Sequence, residues 1–284
     1  YRRELFCSFG RNRVSKELRT LCMPNFAANL SMLFTEHYFL DRFNAAAACG
    51  FKGVEFLFPY EWPANEIRSA LTENNLKQAL FNMPPGDWNA GDRGLGAIPG
   101  RESEFFSSLK LALDYAGILS CSQIHIMAGI VKEEEARREA RATFVANLKR
   151  AAPVAAKYNV DLLIEPINDK RDAPDYFLSR ISDAREIINE VRSDNVWLQF
   201  DLYHAQIMSG DLETLIRDNT DITRHYQIAG VPARHEPDLG EVNYPYLFEL
   251  IDSLDFDGWI GCEYRPAGST FSGLTWAKPY GIGS

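Results

Sequence analysis

Residues 197–204 read WLQFDLYH, an apolar run that surfaces at Asp201. A short apolar run bounded by turn residues reads as a buried strand, so the carboxylate stands where a strand ends. Three other segments repeat the pattern: LLIEPIN at 162–168 with Glu165, HYQIAG at 225–230 with Gln227, and WIGCEYRP at 259–266 with Glu263. Successive polar positions are 36, 26 and 36 residues apart, room each time for one helix and a return strand. Parallel strands need crossovers of that size, and right-handed crossovers bring the strand ends to one side of the sheet. Three carboxylates and one carboxamide therefore converge at one place.

The same alternation extends outward. Strands are predicted at 26–31, 53–58, 76–82, 122–129, 160–167, 196–203, 224–230 and 258–264. Helical patterns lie between them at 39–50, 64–75, 102–119, 132–157, 179–192, 211–219 and 244–254. Strands alternating with helices imply an α/β fold with a parallel sheet, and eight such units close a single (β/α)8 TIM barrel. An open doubly wound sheet is the other arrangement, but no GxGxxG follows the first strand. The longest interruption, PPGDWNAGDRGLGAIPGRE at 84–102, reads as an ordered loop closing over the barrel mouth.

Composition sets outer limits. The chain has 284 residues, 46% of them hydrophobic, enough for one large core. Its net charge of -9 argues against a nucleic-acid partner, and no apolar run approaches a membrane span. Cys7, Cys22, Cys49, Cys121 and Cys262 show no CxxC spacing, which fits a reducing compartment and no zinc–thiolate site. The chain reads as cytoplasmic. Residues 1–22 carry Arg2, Arg3, Arg11, Arg13 and Arg19 against Glu4 and Glu17, a poorly ordered extension that leaves mitochondrial targeting open. The catalytic barrel is expected over 23–284, and homo-oligomer formation is left open.

Glu165, Asp201, Gln227 and Glu263 offer only oxygen ligands. Such a set suits Mg2+ or Mn2+ better than Zn2+. Without a metal, mutual repulsion raises the pKa of at least one carboxylate and sets a proton donor beside an acceptor. Either arrangement suits proton abstraction next to a carbonyl. No organic cofactor is implied. His204, three residues after Asp201, is placed to donate to an oxyanion. His125 and His225 read as core histidines, Glu55 as a hydrogen-bonding group across the barrel, and Glu241 as part of a helix start near Asn243.

The segments FAANLSMLF, GFKGVEFLFPY, the 84–102 loop, LLIEPIN, QFDLYHAQIMSGDL, HYQIAG, PARHEPDLGEVNYPYLFELID and GWIGCEYRP together resemble the hydroxypyruvate isomerase family. That family belongs to the wider group of barrels similar to xylose isomerase and the ketose 3-epimerases. The resemblance implies interconversion of hydroxypyruvate and 2-hydroxy-3-oxopropanoate (tartronate semialdehyde), with Glu165 and Glu263 as the proton-transferring pair. It also places Glu165, Asp201, Gln227 and Glu263 at the metal positions of the wider group. Related epimerases carry histidine where this chain has Gln227, a weaker and neutral ligand, so metal-free proton transfer stands beside Mg2+ or Mn2+. A small anionic 2-oxo acid needs a guanidinium partner, for which Arg93, Arg101, Arg234 and Arg265 are candidates. Trp88 at the mouth favours a short substrate. Competing readings are an isomerase or 3-epimerase of a longer substrate (a 2-oxo-tetronate or a ketose), an endonuclease-like barrel, and a non-catalytic binding barrel. The endonuclease reading would need a histidine-rich zinc site and a basic groove.

Overall fold

Eight short apolar segments lie side by side as parallel strands in a computed structural model that describes residues 24–283. They are β1 (Asn25–Asn29), β2 (Gly53–Phe56), β3 (Lys77–Asn82), β4 (Gln123–His125), β5 (Asp161–Ile164), β6 (Val196–Asp201), β7 (Thr223–Ile228) and β8 (Trp259–Cys262). Each pairs with the next, and β8 returns to β1, so the barrel closes in sequence order. The helices are α1 (Asp41–Ala48), α2 (Ala64–Glu73), α3 (Glu102–Leu119), α4 (Arg137–Ala156), α5 (Ile181–Val191), α6 (Leu202–Met208), α7 (Leu212–Asn219), α8 (Tyr244–Ser253) and α9 (Thr270–Gly273). The expected N-terminal extension, residues 1–22, lies outside the described residues.

Helical periodicity decides which faces meet the barrel. On α5, Ile181, Ala184, Ile187, Ile188 and Val191 form one buried stripe. Each fully buried large aliphatic side chain is worth about 1.5–3 kcal/mol, ample to hold a helix this short against the strands. Inside the barrel, period-2 alternation turns Asn29, Glu55, Gln199, His225 and Gln227 toward the axis, and all five are buried. Barrel interiors are usually branched aliphatics, so this polar filling is a feature of the upper layers that support the site.

Several expected boundaries need correction, among them β5, which ends at Ile164 rather than 167, and β8, which ends at Cys262 rather than 264. Strand β6 stops at Asp201 rather than running to 203, because the Asp201 carboxylate accepts hydrogen bonds from the backbone N–H groups of Tyr203 and His204 and starts α6. Strand β4 covers Gln123–His125 only. Its expected continuation instead pairs irregularly with the 84–102 loop, through Gly94 and Ala128. Helix α4 begins at Arg137, after a short 3-10 turn at Glu134–Ala136.

The 84–102 loop is tied to the end of β4. Gly96 and Ala97 donate to the carbonyls of Met127 and Ala128 at 3.2 and 2.7 Å. Gly94 has φ +115, and a Cβ there would lie 2.3 Å from the Met127 carbonyl oxygen, so only glycine allows this approach.

Candidate active site

The carboxyl ends of β5, β6 and β8 deliver Glu165, Asp201 and Glu263 to one point, and α6 adds His204. One ligand atom from each of these four residues lies within 4.8 Å of the other three, and all four side chains are buried. Pro166 cannot continue the β5 ladder, so the chain turns immediately after Glu165. Glu165 Oε2 accepts from the Gln199 amide at 3.0 Å. Its Oε1, like Asp201 Oδ2, is buried with no hydrogen-bond partner.

Arg234 supplies the local positive charge. Its guanidinium donates to Glu263 Oε2 at 2.5 Å and to Asp172 Oδ1 at 3.1 Å, and stands 3.8 Å from Asp201 Oδ2. One guanidinium is thus shared among three carboxylates. Burial, reinforced by Glu263 and Asp201, holds Glu165 well above the usual carboxylate range. Burial likewise pushes Asp201 up to about 6 and Glu263 up to about 8, with Arg234 opposing both shifts. The two glutamates are thus inequivalent: Glu263 is held by a cation, Glu165 by a neutral amide.

Gln227, expected beside these groups as a ligand, is engaged elsewhere. Its carbonyl oxygen accepts from Gln199 at 2.6 Å and its NH2 donates to Glu55 at 2.9 Å. Glu55 also meets His225 Nε2 at 2.6 Å and accepts from Asn29 at 2.9 Å, and Asn29 donates on to Glu263 at 3.3 Å. A buried polar chain therefore runs from Glu55 to both glutamates. Sequence reasoning assigned Glu55 a bond across the barrel, which the structure contains, but gave no sign of this linkage.

A cavity of about 250 Å³ opens above the carboxylates, lined among others by Trp88, Arg93, His125, His204, Arg234 and Arg265. Arg93 lies 3.7 Å over the Trp88 ring and faces the cavity from the loop. Arg101, expected as a substrate contact, does not line it. It bonds Asp92 at 2.7 Å and grips Glu104 with two nitrogens, stapling the loop to the start of α3. Glu241 is also remote, accepting from Gln206 on the surface. His125 departs from a satisfied core histidine: neither ring nitrogen has a hydrogen-bond partner, Nδ1 is 3.5 Å from Glu165 Oε2, and burial lowers its pKa to about 3.

The donor chemistry fits a divalent cation through oxygen. Glu165, Asp201 and Glu263 are hard ligands suited to Mg2+ or Mn2+, and the partnerless Glu165 Oε1 and Asp201 Oδ2 point into the same cluster.

Fold and site together define a (β/α)8-barrel enzyme with a buried cluster of carboxylates at the carboxyl ends of its strands. The chain belongs to the xylose isomerase-like TIM barrel family, whose model matches residues 43–280. It is 56% identical to the 2-oxo-tetronate isomerase of Cupriavidus necator, over 91% of this chain and 99% of that protein. The hydroxypyruvate isomerase of Escherichia coli is 44% identical over 91% of this chain and all of its own length. A solved structure described as AP endonuclease, family 2, from Brucella melitensis has a TM-score of 0.89 at 50% identity, covering 91% of this chain and 99% of that one. A D-psicose 3-epimerase from Clostridium cellulolyticum, at 16% identity and TM-score 0.73, agrees in fold.

Proposed function

We propose that this enzyme interconverts hydroxypyruvate and 2-hydroxy-3-oxopropanoate by proton transfer through an enediolate. The observation that carries the reading is the pair of buried glutamates at the ends of β5 and β8, with one oxygen of each inside a cluster no wider than 4.8 Å. Two carboxyl groups that close can serve two adjacent carbons of one small molecule. The cavity, about 250 Å³, falls below the roughly 300–1,000 Å³ of pockets for drug-sized ligands.

Glu263, whose ionised form Arg234 favours against the opposing effect of burial, takes the proton from C3, and the C–H electron pair becomes the C2–C3 double bond. The oxygen on C2 gains a proton and becomes a hydroxyl. The C3 hydroxyl then gives up its proton, its oxygen becomes the aldehyde carbonyl, and Glu165 returns a proton to C2. The proton given up by the C3 hydroxyl balances the one taken up on the C2 oxygen, and exchange with solvent returns Glu263 to its carboxylate and Glu165 to its protonated form, so the sum is an isomerisation with no redox partner. His204 and Arg234 line the cavity, where they would donate to the oxygens on which negative charge develops. The substrate carboxylate falls to Arg93 or Arg265, the other two guanidiniums lining the cavity, because Arg234 already faces Glu263, Asp172 and Asp201. A divalent ion held by Glu165, Asp201 and Glu263 would polarise the substrate oxygens.

A second substrate is favoured by a specific finding, the 56% identity to a 2-oxo-tetronate isomerase. A 2-oxo-tetronate has the same carboxylate, C2 carbonyl and C3 hydroxyl and one more hydroxylated carbon, so the same groups would act on it. The endonuclease description of the Brucella structure is not carried over. The cluster contains one histidine, and a net charge of -9 opposes binding to a phosphate backbone.

The test is turnover of each acid by purified enzyme, with and without EDTA, alongside Glu165→Gln and Glu263→Gln. Expected are isomerisation of at least one acid and loss of about 100-fold or more in kcat for either variant, with folding retained. Near-normal turnover by Glu263→Gln would refute the assignment.

A further inference from the structure

We propose that Asn168 is a positioning residue that fixes the His204 ring as an Nε2–H donor facing the substrate oxygens and thereby keeps it from acting as a metal ligand. The proposal rests on the substrate-site reading above, but its structural half stands independently of it.

Asn168 ends the segment LLIEPIN and is fully buried. Its Oδ1 accepts from the backbone N–H groups of Arg171 and Asp172 at 2.9 and 3.2 Å. Backbone N–H groups can only donate, so this end of the side chain must be the oxygen. The NH2 end therefore faces Asp172 Oδ2 at 2.5 Å and His204 Nδ1 at 2.7 Å, one hydrogen for each. An amide NH2 does not accept, so Nδ1 must present its lone pair, and the single hydrogen of a neutral ring sits on Nε2.

Nε2 lies 3.7 Å from Glu165 Oε1 and 3.5 Å from Asp201 Oδ2, beyond good hydrogen-bond length, and the residue lines the cavity. The ring is braced on its other sides, since Asp201 caps the backbone N–H of His204 and Tyr203 packs edge-on at 5.2 Å. By position alone His204 would complete a four-residue metal group. With a hydrogen on Nε2 it has no lone pair to offer there, and any ion is left to the three carboxylates. It can instead donate to the oxygen of C2 or C3 as charge builds.

Nitrogen-resolved NMR of the histidine-labelled enzyme, with His204 assigned by its loss in His204→Gln, reads the tautomer directly. Expected are an acceptor-type Nδ1 and a hydrogen-bearing Nε2, unchanged on addition of Mg2+. The opposite tautomer, or a shift of Nε2 to a metal-bound position, would overturn the proposal. Asn168→Asp keeps an oxygen for the Arg171 and Asp172 amides but has no hydrogen for Nδ1, so the ring should reverse. That variant should lose about 100-fold in kcat with KM changed by less than about threefold. It should also gain Zn2+ affinity by calorimetry, because Nε2 is now bare. Wild-type kcat together with unaltered Zn2+ affinity would contradict the proposal. If Asn168→Asp fails to fold by circular dichroism, the wild-type spectrum decides. Absence of turnover on either acid would sink the function proposed above, and the tautomer would still decide this one.

Discussion

Gly261→Ala removes no group and adds one methyl, yet the structure makes it severe. A Cβ at this position would lie 2.2 and 2.4 Å from the two carboxylate oxygens of Glu55. The backbone cannot yield, since Gly261 is paired in register with Ala27 on one side and Gln227 on the other. The Glu55 carboxylate must therefore move, and with it the bonds to His225 at 2.6 Å and to Asn29 and Gln227 at 2.9 Å each. A buried partner left unsatisfied costs about 1–3 kcal/mol, and overpacking adds about 1–3 kcal/mol. Loss of even one bond beside the packing strain gives about 2–6 kcal/mol. At about 2–4 °C per kcal/mol for a chain of this size, Tm should fall on the order of 10 °C. Activity should fall further than stability explains, because the displaced chain orients Glu165 through Gln199 and Glu263 through Asn29. The control is Gly117→Ala on α3, where an added Cβ meets nothing within 4 Å and helix propensity favours alanine by about 0.5–1 kcal/mol. Calorimetry and steady-state turnover on both variants provide the comparison. If Gly261→Ala melts and turns over like the wild type while Gly117→Ala behaves as expected, the linkage through Glu55 is refuted.

Other outcomes follow from the same geometry. Arg93→Ala should raise KM for a 2-oxo acid about tenfold or more, the worth of a charged hydrogen bond, with kcat less affected; an unchanged KM would remove Arg93 from substrate binding. Arg101→Ala, which only unpins the loop from Asp92 and Glu104, should change KM less than Arg93→Ala, and the reverse order would contradict the loop's description. Burial holds Glu165 above the usual range and pushes Asp201 and Glu263 up to about 6 and about 8, against about 4 in the unfolded chain. The folded state then binds more protons than the unfolded one between those values, so stability contributed by protonation is present at low pH and lost as pH rises. Without added metal, Tm should be higher near pH 5.5 than near pH 8, and Glu165→Gln should shrink the difference; an equal difference in that variant would count against Glu165 as a contributor.

Much of this was legible in the sequence because strands announce themselves. Apolar runs ending in Glu165, Asp201 and Glu263, spaced for crossovers, suffice to place the barrel and to bring those carboxylates together. Side-chain partners across strands were not legible. Gln227 reads as a ligand from its own strand, but its orientation is fixed by Gln199 on β6 and Glu55 on β2. Arg101 shares its type and loop with Arg93, and only the fold shows that Asp92 and Glu104 hold it away from the cavity. His125 looks like any core histidine until its ring is seen without hydrogen-bond partners beside Glu165. Helix α6 escaped because its cap, Asp201, was read as the last polar residue of a strand.

The claim at the centre is that carboxylates move protons between carbon atoms. Conversion of hydroxypyruvate in D2O, followed by proton and deuterium NMR of the product at low turnover, tests it directly. Removal of the C3 proton by Glu263 and delivery to C2 by Glu165 place solvent-derived deuterium on C2. Product carrying only the original hydrogen at C2 would mean hydride transfer or a single carboxylate returning the same unexchanged proton, and would contradict the account.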